Sequence, residues 1–263
     1  MIIYLIKVFT EKWMFFILLI FVSLSSFGQA GYCVTNTGEV FKTNNHGNTW
    51  SYISKPNPGT SSQSISFVNN NLGYVVNSFG ETYKTVNGAM NWSYMGKPSG
   101  SNNVIDVSFP TNSIGFLAEA TGGVYKTIDS GDNWTYQGDV SSGNSSLVAL
   151  SFISQDTGYA ASGTGTFYVT FNSGTTWNYC GNPGANVNSI VSIDFTSYFH
   201  GYLITTTGQL YETIDAGLTW TYKGKPTSGN NNIRGLSFVS HDIGYTISLT
   251  GDTYETINGG GAW

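Results

Sequence analysis

VYKTIDSGDNW, Val124 to Trp134, decides how this chain reads, because the same eleven-residue pattern recurs at nearly fixed intervals. Its copies end on Trp50, Trp92, Trp134, Trp177, Trp220 and Trp263, so six of the seven tryptophans share one phase of a period of 42 or 43 residues. A period of that length belongs to a solenoid or a propeller rather than to one irregular domain. Within the quoted copy, Val124 and Lys126 alternate with Tyr125 and Thr127 in an extended run. A polar loop containing Gly131 follows, and Trp134-Thr135-Tyr136 leaves as a second extended run. Two β-prone segments around a short glycine-containing loop make a hairpin.

The acidic position of that loop is Asp129 and Asp215 in two copies but Asn45, Asn87, Asn172 and Asn258 in the other four. A metal ligand or a catalytic acid does not survive this exchange, whereas an oxygen that accepts backbone N–H groups does. The position is therefore expected to hold the turn, with Gly131, Gly174 and Gly217 supplying a left-handed backbone. Ala89 stands in place of the glycine in the second copy, and Ala262 replaces the Thr or Asn before Trp263 in the sixth. These two turns are expected to be the loosest.

Two further landmarks keep step with the tryptophan. A Gly-Tyr or Gly-Phe pair lies nineteen residues ahead of it, at Gly31, Gly73, Gly115, Gly158, Gly201 and Gly244, and a Phe lies six residues ahead of the glycine at Phe67, Phe109, Phe152, Phe195 and Phe238. Phe marks a first strand, Gly-Tyr a second, Tyr-Lys-Thr a third and Trp-x-Tyr a fourth. Four short antiparallel strands per repeat are one propeller blade. Aromatic residues, 15% of the chain, then have a place between packed sheets without a ligand being invoked. No 3.6-residue periodicity follows residue 30, which sets a helical solenoid aside.

In the loop, the upstream Gly-Tyr and the form GxVYKTxDxGxTW, residues 31–263 resemble the Asp-box, or BNR, repeats of sialidases, sortilin-type receptors and xyloglucanases. They are most similar to the photosystem II stability/assembly factor family. The resemblance implies an all-β propeller of four-stranded blades in a seven-bladed ring. In these families Asn45, Trp50, Asn87, Trp92, Asp129, Gly131, Trp134, Asn172, Gly174, Trp177, Asp215, Gly217, Trp220, Asn258 and Trp263 would be structural. The chain starts its repeats on a second strand and stops on the sixth tryptophan. The reading is thus six units with the first and last incomplete, truncated at the C-terminus from a longer protein.

Residues 1–30 read as a secretory signal. Lys7 and Lys12 precede the apolar run Trp13 to Val22, Gly28-Gln29-Ala30 offers a small-residue cleavage site, and the run is short for a membrane span. The mature chain is expected to be periplasmic, cell-surface or secreted, with no stable membrane span. Beyond residue 30, 8 basic residues face 14 acidic ones, so no basic footprint for nucleic acid exists. Cys33 and Cys180 fall in the first and fourth repeats, on opposite sides of any ring, and no disulfide is expected because a bridge needs Cα atoms within about 7 Å.

All length variation lies between the tryptophan and the next Phe, 17 or 18 residues. These fourth-to-first-strand linkers gather on one face, where a rigid scaffold presents recognition loops. Lys55, Lys97, Asn103, Asn144, Lys225, Asn232 and Arg234 are the binding candidates there. Catalysis has little to stand on. A sialidase of the resembled kind uses three arginines, and Arg234 is the single one here. Asp106 and Asp194, on first strands two repeats apart, are the only pair that could imitate two glycosidase carboxyls. His46, His200 and His241 show no metal-ligand spacing, and no cofactor is expected. The expectation is an exported, non-enzymatic propeller that binds a protein partner, with carbohydrate binding or glycoside hydrolysis as the alternative.

Overall fold

The computed structural model describes residues 19–24 (backbone), 30–57, 61–98, 103–141, 146–184, 187, 189–226 and 232–263. Strands β1 (Leu19–Leu24), β2 (Gly31–Thr35), β3 (Val40–Thr43) and β4 (Ser51–Ser54) form sheet one in sequential antiparallel order. Sheets two to five repeat the plan, and sheet six has three strands, Ile233–Phe238, Gly244–Ser248 and Thr253–Thr256. The first strands of the six sheets touch in order around a common axis, and that of sheet six returns to β1. This is an all-β propeller, and among the described residues no helix is long and apolar enough to cross a membrane.

The spacing of Phe to glycine has a steric cause. A Cβ on Gly73, Gly115, Gly158, Gly201 or Gly244 would lie 2.4–2.7 Å from ring carbons of the Phe six residues earlier, so only glycine lets the ring lie flat against the second strand. The other face of each ring stacks on the Tyr or Phe of the preceding sheet. Tyr32–Phe67, Tyr74–Phe109, Phe116–Phe152, Tyr159–Phe195 and Tyr202–Phe238 have centroids 3.5–3.6 Å apart and nearly parallel planes. Trp92, Trp134, Trp177, Trp220 and Trp263 meet the same Phe edge-on at 6.0–6.4 Å. One motif therefore makes each of these seams, and apolar burial with aromatic contact holds sheet to sheet.

The turn before each tryptophan is built alike in all six copies. The Thr hydroxyl (Thr43, Thr85, Thr127, Thr170, Thr213, Thr256) donates to the Asn or Asp oxygen two residues on. It also accepts the N–H four residues on, at 2.9–3.0 Å. The Asx oxygen in turn accepts the N–H of the residue before Trp, at 2.8–3.0 Å. Asn and Asp present the same acceptor, which is why they interchange. Ala89 takes φ 70° and keeps the bond its glycine counterparts make, with its methyl buried in the core. Ala262 likewise keeps its N–H bonded, so neither turn has lost the hydrogen bonds of the others.

The two ends of the chain meet at sheet one. The first strand of unit one is present: β1, from the stretch read as part of a leader, pairs with β2 from Leu24↔Gly31 to Leu19↔Thr35 and satisfies an inner edge that would otherwise be open. The rest of the proposed leader, residues 1–18 and 25–29, lies outside the described residues. The six described sheets meet in a ring, the first strand of sheet six lying against β1. Sheet six packs directly on sheet one, where the Thr253 hydroxyl donates to Gly47 O at 3.0 Å and His46 Nδ1 meets the Tyr245 hydroxyl at 2.9 Å.

Candidate functional site

The fourth-to-first-strand linkers and the second-to-third-strand turns share one face, tied by backbone hydrogen bonds such as Ala120 N–H to Asn103 O and Leu249 N–H to Asn232 O. The seven candidates separate on this face. Asn103 and Asn232 are exposed but hold left-handed corners (φ 58° and 43°), as Ser146 and Ser189 do at the same place in other sheets. They shape the linker. Lys55 is engaged by Glu39, Nζ to Oε1 3.3 Å. Lys97 and Lys225 are exposed, and Asn144 lies outside the described residues.

Arg234 differs from the rest. It sits just inside the first strand of sheet six, at the register shift between Ile233 and Gly235. Counterparts at the same irregularity in the other sheets are Ile20, Gln63, Ile105, Val148 and Val191, so Arg234 is the only charge in that ring of positions. Bulges of this kind re-aim a side chain. Its Nε is buried and has no hydrogen-bond partner among the described residues. A buried guanidinium nitrogen without an acceptor is costly, and an incoming carboxylate or carbonyl would relieve that cost.

A cavity of about 150 Å³ runs between the first strands and is lined by Asp106, Asp194 and a set of serines. Serines of the first strands stitch the ring: Ser66 Oγ accepts Phe109 N–H, Ser108 accepts Phe152 N–H and Ser151 accepts Phe195 N–H, at 3.0–3.1 Å. Asp194 stands in that series and accepts Phe238 N–H at 2.7 Å. Asp106 accepts the Ser64 hydroxyl at 2.6 Å and the N–H groups of Val107 and Leu150 at 2.8 Å, joining three sheets. Burial pushes Asp106 up to about 6 and Asp194 up to about 7 against the hydrogen bonds that favour their anions. Both carboxyls accept the ring's own donors, an arrangement that stitches sheet to sheet.

The histidines meet partners that their spacing does not announce. His200 and His241 join Glu212 at the seam of sheets five and six, and His46 joins Tyr245 and Glu255 at the seam of sheets six and one. Cys33 is buried and Cys180 half-buried, and both are free. Burial pushes the Cys33 thiol up to about 12.

No protein-family model matches the chain, and no curated protein sequence does. Solved structures do. YCF48 bound to a D1 peptide superposes with a TM-score of 0.65 at 18% identity, over 96% of this chain and 82% of that one. YCF48 from Cyanidioschyzon merolae follows at 0.62 and 17%, over 89% and 81%. An ancestral GH74 enzyme matches at 0.54 and 18%, over 73% of this chain and 28% of that one. What these share with the chain is the architecture: it is a β-propeller built like YCF48.

Proposed function

We propose that the protein is a non-catalytic, protein-binding propeller that takes an extended, acidic peptide segment on the linker face, with Arg234 as the anchor and Lys97 and Lys225 as flanking charges. The observation that carries this reading is Arg234, the one cation in its ring of bulges, with a buried Nε that has no partner among the described residues. The likeness to a YCF48 structure that holds a peptide supports it. The occupied carboxyls of Asp106 and Asp194 favour binding over hydrolysis. The GH74 likeness spans 28% of that enzyme, which leaves carbohydrate recognition as the lesser reading.

An array of synthetic peptides, acidic and neutralised in pairs, tests it against wild type and Arg234→Ala. Saturable binding to acidic members, weakened about tenfold or more by the substitution, is expected, since charge-assisted hydrogen bonds contribute about 1.5–3 kcal/mol. A blank array together with binding on a polysaccharide panel would replace this reading with the carbohydrate one. Export belongs to the same proposal, supported by Lys7, Lys12 and the apolar run that follows them. The N-terminal residue of the protein recovered from the cell envelope tests it.

A further inference from the structure

Three side chains from two sheets converge at one seam. His200 precedes the second strand of sheet five, Glu212 lies on its third strand, and His241 belongs to the equivalent first-to-second-strand loop of sheet six. His200 Nε2 is 2.8 Å from Glu212 Oε1 and 2.9 Å from His241 Nδ1, and His241 Nδ1 is 3.8 Å from the same carboxylate oxygen. A triangle with those sides has a circumradius of about 1.9 Å, and zinc sits about 2.0–2.2 Å from imidazole nitrogen and carboxylate oxygen. An ion at that distance from all three donors would stand roughly 1 Å off their plane, with one side of its coordination shell open. The donor set, two imidazoles and one carboxylate, suits a borderline divalent transition ion rather than calcium or magnesium, which prefer oxygen.

Surrounding groups orient the donors. Lys223 Nζ holds Glu212 Oε2 at 3.0 Å and leaves Oε1 facing the imidazoles. The Tyr202 hydroxyl lies 3.1 Å from Glu212 Oε1 and donates to His241 O at 2.6 Å, which fixes the loop that carries His241. His200 Nδ1 lies 2.9 Å from His241 Nδ1, as near as Nε2 does, and 3.4 Å from Thr196 Oγ1, and Asp242 Oδ1 lies 3.9 Å from His241 Nε2. Oxygen partners of this kind set the tautomer and aim of metal-binding histidines. His200 and Glu212 are largely buried, whereas His241 is exposed, so the open side faces solvent.

Comparison among the sheets shows that the fold does not require this set. Where sheet five has Glu212, sheets one to three have Lys42, Lys84 and Lys126, whose ammonium groups lie 5.1–6.0 Å from the centre of the Tyr32, Tyr74 or Phe116 ring. Where sheet six has His241, sheets two and three have Asn70 and Asn112, and their carbonyls accept the same Tyr hydroxyl bond. Those seams close with no imidazole and with the opposite charge. Glu255 of sheet six also stands where those lysines do, opposite Tyr245 and beside His46 alone, so among the described residues only the seam of sheets five and six sets two imidazoles against such a Glu, a donor set that packing alone does not explain.

We propose that His200, Glu212 and His241 form a binding site for one Zn²⁺-like divalent ion that clips sheet five to sheet six, its open position available to water or to an acceptor on a partner. The test uses the full chain, free of any histidine tag and stripped with chelator, titrated calorimetrically with ZnCl₂. One equivalent is expected to bind with micromolar or tighter Kd. At a hundredfold excess over Kd, zinc should raise Tm by about 5 °C or more. His241→Asn installs the residue that sheets two and three carry, so it should fold as well as wild type. It should weaken binding at least tenfold and abolish the zinc-dependent rise in Tm, as should Glu212→Gln, while His46→Asn changes neither. If His241→Asn fails to fold, His241→Gln, the residue type at Gln155, takes its place. Absence of saturable binding, or equal binding by wild type and the His241 variant, overturns the site.

Discussion

The stack of Phe109 between Gly115 and Tyr74 can be tested with one methyl group. In Gly115→Ala the new Cβ would fall 2.4 Å from two Phe109 ring carbons and 2.6 Å from a third, distances nearly equal enough to place it over a ring face. The opposite face is covered by Tyr74 at 3.5 Å, so the ring cannot retreat the ~1 Å that an ordinary contact needs without moving the neighbouring sheet. Overpacking of this kind costs about 1–3 kcal/mol, and a ring clamped on both faces belongs at the upper end. At about 2–4 °C per kcal/mol for a chain of this size, Tm should fall by about 6–12 °C. The control is Gly131→Ala, where the added Cβ has no neighbour closer than 3.8 Å and only the positive φ of 93° is penalised, about 1–2 kcal/mol. Calorimetric melting of both variants, with Phe109→Ala alone and in combination with Gly115→Ala, completes the cycle. The double variant should be more stable than the sum of the singles predicts by about 1–3 kcal/mol, because the clash needs both partners. Should Gly115→Ala melt within 2 °C of wild type, or no lower than Gly131→Ala, the steric account of the Phe-to-Gly spacing is wrong.

Melting temperature should also depend on pH in a direction set by the channel. Asp106 and Asp194 are raised in the folded state to about 6 and about 7, so the folded chain holds protons that the unfolded chain releases. Their contribution is complete below about pH 3.8 and is lost as pH rises through 6 and 7, a decline on the order of a few kcal/mol. Asp129, held below its ordinary range by Asn133, works in the opposite direction only in acid. So do Glu39, Glu212 and Asp215, in which burial pushes upward but hydrogen bonds outweigh it. Scanning calorimetry from pH 4 to 8 should therefore show falling stability above about pH 5, and Asp194→Ser, the residue of the other sheets, should flatten the upper part. A profile that rises towards pH 8 contradicts the assignment. For the turns, Asp129→Asn should leave stability within about 0.5 kcal/mol of wild type because Asn fills four sister turns, whereas Asp129→Ala should cost about 1 kcal/mol or more in a urea titration. Equal losses from the two substitutions would show that the charge, not the acceptor oxygen, matters.

Much of this architecture was open to reading from the chain because the repeat is regular. Phe109, Gly115 and Trp134 mark their strands by spacing alone, and the exchange of Asp129 for Asn in sister copies identifies an acceptor rather than a catalytic acid. What stayed hidden depends on contacts between repeats. The reason for the glycine appears only when the ring of Tyr74 is seen covering the far side of Phe109. His200 and His241 are 41 residues apart, about one repeat, so a search for local ligand spacing passes over them although the loops that carry them are neighbours in the ring. Aligned repeats set Glu212 and Glu255 against Lys42, Lys84 and Lys126, and His241 beside His200 then marks the seam of sheets five and six. Arg234 reads as a loop residue from its neighbours in the chain, yet its distinction is a place on a strand irregularity that no local pattern encodes. Strand β1 was missed because an apolar stretch behind two lysines has the composition of a leader as well as that of an inner strand.

That double reading of Leu19–Leu24 sets two fates against each other. A peptidase cutting after Ala30 would carry off the innermost ribbon of sheet one, baring the ladder of β2 and breaking the wall next to Ile233–Phe238. The trimmed molecule would then be a receptor for any extended segment able to take the vacated lane, whether from its own chain or a stranger's, while the untrimmed one would already be plugged.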